Sequence, residues 1–395
     1  MTQTDPEVAE KAKSNFRLAR AGVFLWDLSL RQEFPSDSGA APKSALIDEL
    51  RHALLKDPTV VSVESMAESE QFTYTKGYWP DTSRTSDDGL LTGGDSFSVL
   101  RLDGPILFCV QVPKKNQPEH HGHDDFPSDT YWVAWDGVSA IVTWIQPDER
   151  VPMAGGHVVE GILRSALRRL GCDLYVQACS PWCDNLFTHT VMHVLVDPEV
   201  DELECTVRTA LEVDVTVGLA DNDEELLMEL WFGLNRSLES FAEMKNLGRR
   251  SVDLEDSARD TLSHLLKHYY EHATAGAQQG WKRMRALWSQ RGWRREARQL
   301  MASLWLTLSS IESVHREWEE VHRSFISATE SRGLVVLFDV DYREDAETVA
   351  SLDVSHLEVN VQQIGTRLDN RSLAWATGLG AIAGGVAGLL AGFAH

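Results

Sequence analysis

Apolar positions alternate with a period near two from residue 20 to about 220, and beyond Asp221 they recur every three or four residues. The first regime predicts a mixed α/β layer. Strands are expected over 21–28, 59–63, 97–102, 105–112, 131–135, 138–145, 173–179, 188–196 and 205–217, with helices over 43–56 and 157–170. Asp136-Gly137 separates two alternating runs, the residue pair that a two-residue hairpin turn requires. The polar stretches 78–94 and 113–128 read as loops.

In the second regime Leu227, Leu230, Leu234, Leu238 and Phe241 form one helical stripe, and 254–270 carries another. Leu300, Leu304, Ile311, Val314, Trp318, Val321 and Phe325 mark a third, long helix. Gly333 interrupts it, and 334–338 is a short apolar run of either type. Val354, Leu357, Val361, Ile364 and Leu368 then set a 3-4-3-4 rhythm that continues, with one lapse at Ser372, into Trp375. This predicts a stalk helix continuous with the C-terminal segment.

That C-terminal segment is uncharged. Residues 372–394 hold no Asp, Glu, Lys or Arg over 23 positions. At about 1.5 Å per residue a helix of that length spans roughly 35 Å, enough for a bilayer core. Gly380, Gly384, Gly388 and Gly392 recur every fourth residue, a small-residue stripe that lets helix backbones approach in a membrane. Trp375, Leu379, Ile382, Val386, Leu389 and Phe393 lie on the other side. The expectation is a self-associating transmembrane helix. Arg367 and Arg371 precede it and nothing basic follows, so the positive-inside tendency leaves residues 1–371 in the cytoplasm. A single-pass, tail-anchored protein of the cell membrane results.

The expected fold class is therefore α+β: a short tail (1–19), an α/β sheet domain (20–220), a long-helix, coiled-coil-like domain (221–332), a linker and stalk helix (333–371) and a single C-terminal transmembrane helix (372–394). This layout, with the stalk end Gln362-Gln363-Ile364-Gly365-Thr366-Arg367-Leu368-Asp369-Asn370-Arg371, resembles the architecture of CorA-type divalent-cation channels. The chain carries neither that family's Gly-Met-Asn signature nor its second membrane helix, so the resemblance implies architecture and not magnesium transport.

Composition narrows the partners. Thirty-seven basic residues against 60 acidic ones leave a net charge of −23, which excludes a dedicated nucleic-acid binder. Five cysteines are too few for a disulfide scaffold and fit a reducing compartment. The first residues lack the basic-then-apolar pattern of a signal peptide. Abundant Arg and 13 Trp point to a bacterial source of high GC content. One stretch departs from the acidity. Lys282, Arg283, Arg285, Arg291, Arg294, Arg295 and Arg298 stand against Glu296 alone, interleaved with Trp281, Trp288 and Trp293. That is the composition of an interfacial helix beside anionic lipid; an anion site and a solvated helix facing the acidic domain are the competing readings.

Catalytic motifs are sparse. His120-His121-Gly122 and Gln177-Ala178-Cys179 resemble the His-Gly and Gln-Ala-Cys pairs of caspase-like peptidases, with 58 positions between His121 and Cys179. The resemblance implies His121 as base and Cys179 as nucleophile. Ser180-Pro181 stand where that family has its glycine, and the His-Gly pair lies in a polar loop. Cys179, Cys183, His189 and His193 have zinc-ligand chemistry. On a strand, however, residues four apart are separated by about 13 Å, too far for one ion. The run 120–125 could hold a cation but reads as an exposed loop. Gly93-Gly94-Asp95-Ser96-Phe97 resembles the diguanylate-cyclase hairpin without its second acid, and a plain turn accounts for it. No metal and no cofactor is expected. The reading that emerges is a membrane-perturbing sensor or effector, of the kind used in bacterial antiviral defence. An unidentified protein or small ligand would act on its α/β domain. A membrane-tethered cysteine peptidase and a non-catalytic membrane scaffold are the rivals.

Overall fold

A computed structural model describes residues 17–28, 43–66, 73–79, 95–120, 123–145, 156–176, 186–275 and 281–364. Residues 372–394, with all ten positions named on the two faces of that segment, lie outside them, as do His121, Cys179 and Cys183. Among the described residues the chain is a mixed α+β protein of one large sheet and long helices.

The strands are β1 (Arg17–Asp27), β2 (Val60–Ser65), β3 (Thr73–Trp79), β4 (Asp95–Arg101), β5 (Ile106–Gln111), β6 (Glu119–His120), β7 (His123–Asp124), β8 (Thr130–Trp135), β9 (Ser139–Ile145), β10 (Asp173–Val176), β11 (Val191–Val196), β12 (Glu204–Val207) and β13 (Glu212–Val217). The helices are α1 (Lys43–Leu55), α2 (His157–Arg169), α3 (Asp223–Ala275), α4 (Trp281–Glu330), α5 (Asp339–Ala350) and α6 (355–364). The sheet runs β12-β13-β11-β1-β9-β8-β5-β2. Its ladders are antiparallel except β11 with β13, and β10 and β4 pair with the far end of β1, β4 also with β3. β6 and β7 form a separate two-stranded ribbon.

Period-two alternation explains the layering. Leu18, Phe24 and Trp26 of β1 join Phe108, Tyr131, Val133, Trp135, Val142 and Trp144 in one core, closed by Leu46, Leu50 and Leu54 of α1 and Val159, Leu163 and Leu167 of α2. The alternate positions Ala19, Ala21, Val23, Val194, Val213 and Val215 are equally buried, as are Leu227, Leu230 and Leu234 of α3.

Asp136-Gly137 makes the expected hairpin turn, with Gly137 at φ +96° where a side chain would overlap the Leu100 carbonyl. Asp136 Oδ1 accepts the amides of Val138 (2.9 Å) and Ser139 (2.6 Å). The expected strand over 205–217 is instead two strands, β12 and β13, paired antiparallel through a turn at 208–211. That turn is closed by Arg208 and Thr209 amides on the Glu212 carbonyl, without Gly or Pro to announce it.

α3 starts where charge and capping dictate. Asn222 Oδ1 accepts the Glu225 amide at 2.9 Å, Glu225 reaches back to the Asp221 amide at 2.8 Å, and three acids fill the first turn. Its two expected stripes belong to one helix. Gly233 sits inside it because a Cβ there would press into Leu203 at 2.6 Å.

The molecule divides into two compact units. One holds the sheet together with residues 223–250 and 316–350. In it Phe241, Phe325 and Phe338 form an aromatic knot with centroids 4.9–6.0 Å apart. The other, among described residues, comprises 251–315 and 351–364. It is a three-helix core: Ala258, Leu262 and Leu265 of α3 meet Leu304, Leu308 and Ile311 of α4 and Leu357, Val361 and Ile364 of α6. The expected stalk rhythm thus begins as a packed helix of a bundle.

Candidate functional site

One deeply buried polar feature of the sheet unit is at the N-terminus of α2. Asp125, fully buried, accepts the amides of His157 (3.1 Å) and Val158 (2.8 Å), satisfying two of the donors a helix start leaves open. Gly156 precedes them, and any Cβ there would overlap the Phe187 ring. Phe126, the residue after Asp125, packs with its ring centroid 4.6 Å from Tyr131 and 5.1 Å from Trp144. Burial pushes Asp125 up to about 7, against the lowering pull of the two amides and of Arg20. Arg20, also buried, donates Nη2 to the Thr188 carbonyl at 2.6 Å.

Such a carboxyl can hold or release a proton near neutrality. Its oxygens, however, are already engaged by the helix amides. It stands two residues beyond His123 at the base of the β6–β7 ribbon, and Phe126 touches Phe187 at 6.3 Å. The chain leaving the His120-His121 loop is thereby tied to residue 187, just past the segment 177–185 that carries Cys179.

A second constellation links α5 to the sheet. Asp341, its side chain fully buried, accepts the His189 amide at 2.9 Å and bonds the His189 ring; Lys245 Nζ donates to the Asp341 carbonyl at 3.0 Å and pairs with Asp345. His193 bonds Arg208 at 2.6 Å through Nδ1 and faces Glu212 at 3.3 Å through Nε2. Burial and the Arg208 charge hold His193 below its ordinary value, with Glu212 and Asp214 opposing. His189 and His193 therefore serve different partners. Among the described residues no group of three His, Cys, Asp or Glu could hold a metal ion.

The basic stretch is helical, as its spacing requires, since α4 begins at Trp281. Arg295 and Arg298 are exposed on either side of the buried Ala297. For Trp281, Lys282, Arg283, Arg285, Trp288, Arg291 and Arg294 the described feature is the helical backbone. Among the described residues no helix is long and apolar enough to cross a membrane.

Sequence reasoning read Asp125 as part of an exposed loop, whereas it is fully buried on the α2 amides, and it missed Asp341; each acts on residues far away in the chain. Arg20 carried a usable signal: a charge inside the apolar run 18–26 demands a buried partner.

Set against known proteins, the chain matches no family model, no curated protein and no solved structure.

Proposed function

We propose that the protein is a membrane-tethered sensor or effector: an α+β body carried by a self-associating C-terminal helix, acting by perturbing the bilayer. The observation that carries this reading is the uncharged segment 372–394 with glycine at 380, 384, 388 and 392. The exposed Arg295 and Arg298 support it, because they continue the basic, Trp-bearing start of α4 that suits anionic lipid. The body would receive the trigger and the tail would execute. Bacterial antiviral defence is a setting in which that division of labour makes sense.

The test is induced expression of the full chain against the Gly384→Leu/Gly388→Leu variant, scoring growth, dye entry and cross-linked oligomers. The reading expects the variant to lose oligomers and any growth defect together. A defect that persists without oligomers removes the pore reading and leaves a scaffold.

A second reading, a tethered caspase-like cysteine peptidase using His121 and Cys179, is favoured by the Phe126–Phe187 contact. That contact ties the chain on the far side of the two relevant segments together.

A further inference from the structure

At one end of the sheet, where α3 begins, the sheet unit contains a cavity of about 210 Å³. Arg17 of β1, Trp132 of β8, Thr143 of β9, Asp129 just before β8 and Asp223 at the start of α3 line it. The register explains the gathering. Trp132 pairs with Thr143, Thr143 with Ala19, and Arg17 with Ile145, so Trp132, Thr143 and Arg17 emerge on one face of three adjacent strands. Ala19 between them is too small to fill the space.

Two features mark a built site. Thr143 is 1% exposed, and its hydroxyl has no hydrogen-bond partner among the described residues. A buried polar group left without a partner costs about 1–3 kcal/mol, which a ligand reaching it would relieve. The charges of the lining are also unbalanced. It holds one guanidinium and two carboxylates; Arg17 Nε donates to Asp223 Oδ1 at 2.6 Å, and the exposed Asp129 accepts the Lys114 amide at 2.6 Å through Oδ1, which leaves its other oxygen for a ligand.

The surroundings add to the negative field. Glu224 and Glu225 follow Asp223 in the first turn of α3. Burial first, then Glu64, Asp223 and Glu225, hold the Glu224 carboxyl above its ordinary range.

The geometry points to a binding site for a small organic cation with N–H donors, an alkylammonium or guanidinium group. Thr143 Oγ1 would accept a donor, Asp129 and Asp223 would balance the charge, and Trp132 would offer an aromatic surface. An anion would face a net negative lining. A metal ion would find two carboxylates where a protein cage needs more oxygens. The volume lies below the roughly 300–1,000 Å³ of drug-sized pockets and suits a molecule of amino-acid size. The same headgroup could arrive as a free amine or as the side chain of a partner protein. This inference does not rest on the membrane reading and fails or stands independently of it.

Isothermal titration of the full-length chain in mild non-ionic detergent tests it, with cadaverine, agmatine, a capped lysine tripeptide and glutarate as probes. At least one cationic probe is expected to bind with a Kd of about 1 mM or tighter, and glutarate is not. Thr143→Val is expected to hold or raise the thermal midpoint, since it removes an unpaired buried hydroxyl, and to weaken cation binding by about fivefold or more. Asp129→Asn should weaken it comparably. Tight binding of the tripeptide assigns the site to a partner's side chain, and binding of the free amines alone assigns it to a metabolite. Silence from every cation, equal binding of glutarate, or unchanged binding in Thr143→Val would overturn the proposal.

Discussion

Trp231 donates its indole N–H to Asp136 Oδ2 at 3.2 Å, joining the first third of α3 to the β8–β9 turn 95 positions earlier in the chain. Burial raises the Asp136 carboxyl; the Val138 and Ser139 amides, Arg101 and Trp231 all pull it back. Every oxygen of Asp136 is thus engaged: its carbonyl accepts the Leu102 amide at 2.7 Å. Trp231→Phe keeps most of the apolar surface and leaves one carboxyl oxygen without its donor. The expected cost is about 1–2 kcal/mol in chemical denaturation. A loss below 0.5 kcal/mol, by order of magnitude, would mean the bond is not a link between helix and sheet.

Asp125 makes stability depend on pH. Its folded value near 7 lies above the unfolded 3.8, so the native state holds the proton more tightly. The stabilising contribution is complete below about pH 4 and is lost as the pH rises toward 7. Asp125→Asn removes that titration. The stability difference between the variant and the parent should therefore shift in the variant's favour between pH 4.5 and 7.5, by roughly 1–4 kcal/mol. Parallel pH profiles in thermal melts would contradict the assignment.

Lys245, 3% exposed, is neutralised by Asp345 and bonded to the Asp341 carbonyl, and so locks α5 onto α3 within the sheet unit. Asp345→Ala strands a buried ammonium and should cost about 3 kcal/mol. Lys245→Met/Asp345→Leu removes both charges and should recover most of the loss, because an apolar pair carries no desolvation penalty. A double-mutant cycle with no coupling would show that the pair does not hold the two helices.

The peptidase and membrane readings separate at one cysteine. Cys179→Ala should abolish growth inhibition if Cys179 is a nucleophile, and leave it intact if the tail acts alone. Membrane fractionation should be unaffected in either case.

Much of the sheet was legible because alternation and burial coincide: 131–135 and 138–145 around Asp136-Gly137 became β8 and β9 with at most one residue of difference at each end. β3 was not legible, since Tyr78 and Trp79 run into a polar stretch read as loop, and its partner β4 is what makes it a strand. β1 begins earlier than its apolar run. Arg17 belongs to it through its ladder partners Ile145 and Val194, and Asp223, 206 positions away, meets its guanidinium. The two stripes of α3 read as separate, yet they belong to one helix that runs through Gly248. Trp318 and Val349 pack where its side chain would be, at 3.4 and 3.2 Å. For the candidate sites the limit was the same: Asp125, Thr143 and Asp341 have ordinary local contexts, and their roles come from contacts that no local pattern encodes.

The most direct measurement is carbonate extraction of membranes from cells expressing the full chain or the chain lacking residues 372–395. The account predicts that the full chain stays in the washed pellet and the shortened one moves to the supernatant, with the sheet unit's thermal transition unchanged. Release of the full chain by carbonate, or continued pelleting of the shortened one, would contradict it.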